Sequence, residues 1–136
     1  MVERTAVNPW SWSVNFGFNQ GELVKGVTRT LYCAGQTSVD ENGAPQHPND
    51  MAAQMALAAD NLEAVLAEAG MTLANVVRLN FYTTDVEGYL ANAGVIGARL
   101  GAAGVAPAGT LLGVASLAFP ELLIEIEAVA VVHDAA

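Results

Sequence analysis

Apolar residues recur with two different periods along this chain, and each change of period marks a new element. Met51, Met55, Ala58, Leu62, Val65 and Ala69 are three or four apart, which puts them on one face of a helix. Asn49 or Asp50 supplies the N-cap and Gly70 the stop. Val77, Leu79 and Phe81 alternate with Arg78, Asn80 and Tyr82, the period-two pattern of a half-buried strand. Trp12–Gly26 and Arg29–Gln36 read as two earlier strands, with Gly26 helping the hairpin turn. Asp40–Pro45, centred on Asn42-Gly43, is turn chemistry. A shorter helix is predicted from about Val86 to Leu100, and two last strands over Leu111–Leu117 and Leu123–Val132. The expected order is β-β-α-β-α-β-β in one domain over residues 1–136. Helices laid on one face of a mixed sheet make an α+β fold.

Composition changes this picture in three ways. With 53% hydrophobic and only 14% charged residues in 136, the chain has more apolar surface than so short a domain easily buries alone, which points to an oligomer. Fourteen acidic residues against five basic ones give a net charge of -9. The basic footprint needed to displace counterions from nucleic acid is missing, so nucleic acid is not an expected partner. The one cysteine, Cys33, allows no intramolecular disulfide and fits a reducing compartment. The first ten residues lack the apolar core of a signal peptide. The uncharged run Leu100–Pro120 is cut by Gly101, Gly104, Pro107, Gly109 and Gly113, so no membrane-spanning helix is expected there. The reading is a cytoplasmic protein without membrane contact.

Few residue constellations suggest chemistry. Glu125 and Glu127 lie two apart on an apolar strand and share a face. A carboxylate there is either paired, with a residue such as Arg78, or positioned to orient water. Cys33, between Tyr32 and Ala34 with no neighbouring His or Lys, reads as a buried structural thiol. His47 and His133 have no second ligand at metal spacing, so no metal is expected. No glycine-rich phosphate loop precedes a helix, so no cofactor is implied. Trp10, Trp12, Phe16 and Phe18 form an aromatic cluster that either covers a ligand cleft or packs on a neighbouring subunit.

Five segments in order carry a resemblance: Gly17-Phe-Asn-Gln20, Cys33-Ala-Gly-Gln36, Val76–Asp85, Pro107-Ala-Gly-Thr110 and Ile124-Glu-Ile-Glu-Ala-Val-Ala130. Together they resemble the Rid family of small reactive-intermediate deaminases over nearly the whole chain. The resemblance implies a chorismate-mutase-like fold and a homotrimer around a central β-barrel, with ligand clefts between subunits. It further implies a water positioned by a glutamate and a backbone carbonyl, and an arginine clamping the carboxylate of an imine or enamine acid. By position, Gly35 lines the cleft, Glu125 is the glutamate and Asn92 the asparagine of the second helix. Three positions depart from the pattern. The tyrosine falls on Phe18, the arginine on Gly109, and the small polar residue two further on falls on Leu111.

The missing guanidinium matters most, because it would hold a carboxylate through two charge-assisted hydrogen bonds. Removing one partner of such a buried pair costs roughly 2–5 kcal/mol. Arg78 or Arg99 replaces it only if the fold brings one into the cleft. Thr110 is a candidate hydrogen-bond donor to ligand. The expectation is therefore a Rid-like hydrolase that uses Glu125 to direct water at a C=N or related electrophilic carbon, but not in simple 2-imino acids. The alternative is a non-catalytic metabolite-binding trimer.

Overall fold

The alternating segments assemble into two sheets in the computed structural model, which describes residues 2–134. Strands β1 (Glu3–Val7) and β2 (Gly21–Lys25) form an antiparallel ribbon. Strands β3 (Arg29–Thr37), β4 (Val76–Thr83), β5 (Leu111–Gly113) and β6 (Ile124–Val132) form a sheet in the order β3-β6-β4-β5. β6 runs antiparallel to both its neighbours, whereas β4 and β5 are parallel. Ile124, Ile126, Ala128 and Ala130 of β6 are buried, with Glu125, Glu127 and Val129 between them on the other face. The buried face receives helix α1 (Met51–Glu68), whose Met55, Leu62 and Leu66 are fully enclosed.

The start and stop of α1 are set by local chemistry. The Asp50 carboxylate accepts from the Ala53 amide at 3.0 Å, so Asp50 and not Asn49 is the cap. Gly70, at φ 73°, lets the chain turn back so that Met71 N–H reaches the Leu66 carbonyl at 2.9 Å. A polar residue inside this helix ties two elements together. Gln54, fully buried, donates to the carbonyls of Glu121 (2.7 Å) and His47 (3.1 Å) and accepts from the Leu123 amide (2.8 Å). That anchors the segment that leads into β6.

Three sequence expectations are corrected. Trp12–Gly26 is not one strand: Trp12–Phe16 is a 3-10 turn closed by Gly17 at φ 82°, and only Gly21–Lys25 is extended, pairing with β1 and not in a hairpin with β3. The partner of that strand, β1, comes from a segment with no alternating pattern. The helix expected over Val86–Leu100 is two helices, α2 (Val86–Ala91) and α3 (Gly94–Ala103). The chain breaks between them because the Asn92 side chain turns back to the Gly88 carbonyl at 2.8 Å. The strand expected over Leu111–Leu117 is only three residues long. None of these changes the α+β class. Among the described residues no helix is long and apolar enough to cross a membrane.

Candidate functional site

The parallel pairing of β4 with β5 leaves a cavity of about 410 Å³ between the helix-facing side of the sheet, α2, α3 and the Phe16–Phe18 segment. Phe18, Gly109, Thr110 and Leu111 all line it, so the structure brings four of the sequence candidates together. Its walls are otherwise apolar, with Phe81, Ile96 and Leu100 prominent, and no charged side chain reaches it. Trp12 packs edge-on to both Phe16 and Phe18, at ring-centroid distances of 6.3 and 5.7 Å, and holds the aromatic rim together.

Gly109 sits where β4 comes closest. A Cβ built on it would overlap the Leu79 carbonyl, lying 2.8 Å from its carbon. Ladder bonds fix the separation on both sides: the Leu79 amide donates to the Ala108 carbonyl at 2.9 Å, and the Phe81 amide to the Thr110 carbonyl at 2.8 Å. Between them the Thr110 amide donates to the Asn80 side chain at 3.1 Å. Glycine at this point is demanded by backbone proximity.

The remaining candidates lie elsewhere. Gly35 and Glu125 are on the sheet's other face, at the β3–β6 pairing, where register shifts between Cys33 and Gln36. Glu125 fills the space above Gly35 so closely that a Cβ there would come within 2.9 Å of its Cγ. Glu125 therefore does not meet the cavity of its own chain. Asn92 lies at the end of α2 with its amide committed to Gly88, and it does not line the cavity.

The same open face carries a polar ladder that sequence reasoning did not assemble. Tyr82 and Asn80 both donate to Glu127, Asn80 at 3.1 Å. The Tyr82 hydroxyl, then Asn80, hold the Glu127 carboxyl below its ordinary range, with the Arg78 charge adding to the effect. The bond to Glu127 in turn raises the Tyr82 phenol. Arg78 reaches Thr110 Oγ at 3.4 Å, on this face and outside the cavity. Arg99 is paired with Asp60 (2.8 Å) and Glu63 (2.7 Å) of α1. Neither arginine stands in the cavity in place of a residue at 109. Cys33 is buried, as expected, and burial pushes its thiol up. His47 is exposed, while His133 bonds the Gly26 carbonyl through Nδ1 at 2.7 Å. No group of three metal-ligating side chains occurs among the described residues.

A four-stranded sheet with helices on one face and a cavity beside a parallel strand pair defines a small α+β protein. Residues 15–132 match the family described as Endoribonuclease L-PSP, and the chain belongs to this family, which includes the conserved Rid proteins. The structure is similar to that of YyfB from Yersinia pestis, a Rid-family protein of unknown function. Identity is 41% and the TM-score 0.81, over 95% of this chain and 98% of that one. It is also similar to Rv2704 from Mycobacterium tuberculosis, with 30% identity and a TM-score of 0.64 over 96% and 100% of the two chains. The RutC family protein YjgH of Escherichia coli K12 is 31% identical over 118 residues, 87% of this chain and 88% of its own.

Proposed function

We propose that this Rid-family protein binds an uncharged, largely apolar small molecule in the cavity beside β5 and hydrolyses a C=N bond in it. The observation that carries the reading is the cavity wall: Phe18, Gly109 and Leu111 converge there with no cation. A carboxylate placed in it would lose its water without gaining a partner, which is costly. A neutral imine would not. Its hydrolysis needs one water: addition to the imine carbon gives a carbinolamine, and its collapse expels ammonia and leaves a carbonyl.

Glu125 is the residue we assign to orienting that water, with Gly35 giving it room. It lies away from its own chain's cavity, so the proposal requires a neighbouring copy to bring its Glu125 to the site. A homotrimer with shared clefts meets that need, and the uncovered hydrophobics fit it: Tyr32 on the open sheet face is 78% exposed and Phe16 at the cavity rim 75%. The same separation favours a second reading, a trimer that binds a metabolite without turning it over.

Ammonia release from a panel of neutral aryl and alkyl imines, measured with wild type and Glu125→Gln, separates the two. Turnover in wild type that disappears in Glu125→Gln supports the hydrolase. Ligand binding by both proteins with no release above buffer supports the binding trimer. Sedimentation equilibrium giving a monomer mass at micromolar concentration would contradict both.

A further inference from the structure

Helix α3 presents glycine on the cavity at Gly97 and Gly101, one turn apart. A Cβ added at either position would meet nothing within 4 Å. Glycine inside a helix is unfavourable relative to alanine; both positions are exposed and neither needs a left-handed backbone, so contacts within the chain do not explain these residues. What they do is leave room.

Tyr89 of α2 lines the same cavity. Its ring is 9% exposed and packs against Phe81 at a centroid distance of 5.2 Å. Unlike the Tyr82 hydroxyl, which donates to Glu127, the Tyr89 hydroxyl has no partner among the described residues, and burial alone pushes its phenol up to about 12. Thr110 also lines the cavity, but its hydroxyl is engaged by Arg78 on the open face. The Tyr89 oxygen is not among the sealed, unpaired polar atoms, so it opens onto the cavity and can donate to a group bound there.

We propose that the cavity takes a flat or branched apolar group between Gly97, Gly101 and Phe81, with one uncharged acceptor atom receiving the Tyr89 hydroxyl proton in a hydrogen bond. An aryl or branched alkyl ketone or ketimine has this form. The proposal rests on the cavity being the ligand site, and it makes Tyr89 and the two glycines the residues that set specificity, with no part in the chemistry.

Binding, read without turnover, tests it. The probes are acetophenone, which has a ring and an acceptor, ethylbenzene, which has the ring alone, and benzoate, which carries a charge. Ligand-observed NMR on wild type should give saturable binding of acetophenone, weaker binding of ethylbenzene and none of benzoate. Tyr89→Phe should weaken acetophenone about three- to tenfold, the worth of one hydrogen bond, and leave ethylbenzene unchanged. Gly101→Leu should abolish binding of both while keeping or raising the melting temperature; Gly97→Leu is the second filling variant should the first not fold. No acetophenone binding by wild type, equal effects of Tyr89→Phe on both neutral probes, or indifference to a folded filling variant each overturns the inference. A protein that binds acetophenone as described yet releases no ammonia from any imine overturns only the hydrolase reading. One that hydrolyses imines through Glu125 regardless of Gly101→Leu overturns only this subsite.

Discussion

At Gly109 the absence of a side chain has two consequences that pull in the same direction. It leaves no guanidinium to clamp a carboxylate at this position, which the proposed function relies on, and it lets the chain entering β5 lie against the Leu79 carbonyl, where a Cβ has no room. Restoring a guanidinium by Gly109→Arg therefore forces the strands apart. We expect a loss of about 1–3 kcal/mol, the usual penalty of overpacking, with no recovery of 2-iminopropanoate hydrolysis, even when Phe18→Tyr is added. A variant with unchanged melting temperature and new activity would mean that β5 relaxes freely. The Tyr82–Glu127 bond makes a second residue-scale prediction. The Glu127 carboxyl is held low in the folded protein. Its stabilisation is therefore complete above its ordinary value of 4.5 and is lost as pH falls through the folded value. Tyr82→Phe removes the largest cause of the lowering, so its stability should fall less steeply than that of wild type below about pH 4.5. Parallel acid unfolding curves for the two proteins would contradict the assignment.

Among the elements, those with an uninterrupted period were legible from residue order alone. The spacing of α1 and the alternation within β4 and β6 follow directly from which face each element buries. Where the pattern failed, tertiary contacts or local side-chain bonds decided. Trp12 and Phe16 are spaced for a helical turn and pack on each other as one, while β1 is a mostly exposed strand held by its pairing with β2 and by Arg4, which donates to the Ala74 and Val76 carbonyls. The site was legible to a similar extent. Phe18, Gly109, Thr110 and Leu111 line one cavity, whereas Gly35, Asn92 and Glu125 do not; Tyr89 and Gln54 carry no local signature, being ordinary helix residues until the fold encloses them. Gln54 supplies the test at this scale. Gln54→Leu keeps the side-chain bulk but leaves the carbonyls of Glu121 and His47 and the amide of Leu123 without their partner. We expect a loss of about 2–4 kcal/mol in urea unfolding, because unsatisfied buried groups cost about 1–3 kcal/mol each and some will recover water. A loss under about 0.5 kcal/mol would show that β6 does not depend on this anchor.

For the molecule as a whole, the division of labour between the two sheet faces is the main result. The helix-facing side forms a cavity without charge, and the open side carries the carboxylates Glu125 and Glu127 together with Arg78 and Tyr82. A single chain therefore keeps its proposed ligand site and its proposed water-orienting group apart, and the proposed function needs assembly to join them. The net charge of -9 works in the same sense, since it repels small anions at long range. The central claim is that this family member selects a neutral ligand where an arginine-bearing cleft would select a carboxylate. The most direct measurement is kcat/KM of wild type for two matched imines, the ketimine of acetophenone and 2-iminopropanoate, by ammonia release under one set of conditions. The expected result is saturable turnover of the neutral ketimine and none of 2-iminopropanoate above buffer. Efficient turnover of 2-iminopropanoate, with the ketimine untouched, would contradict it.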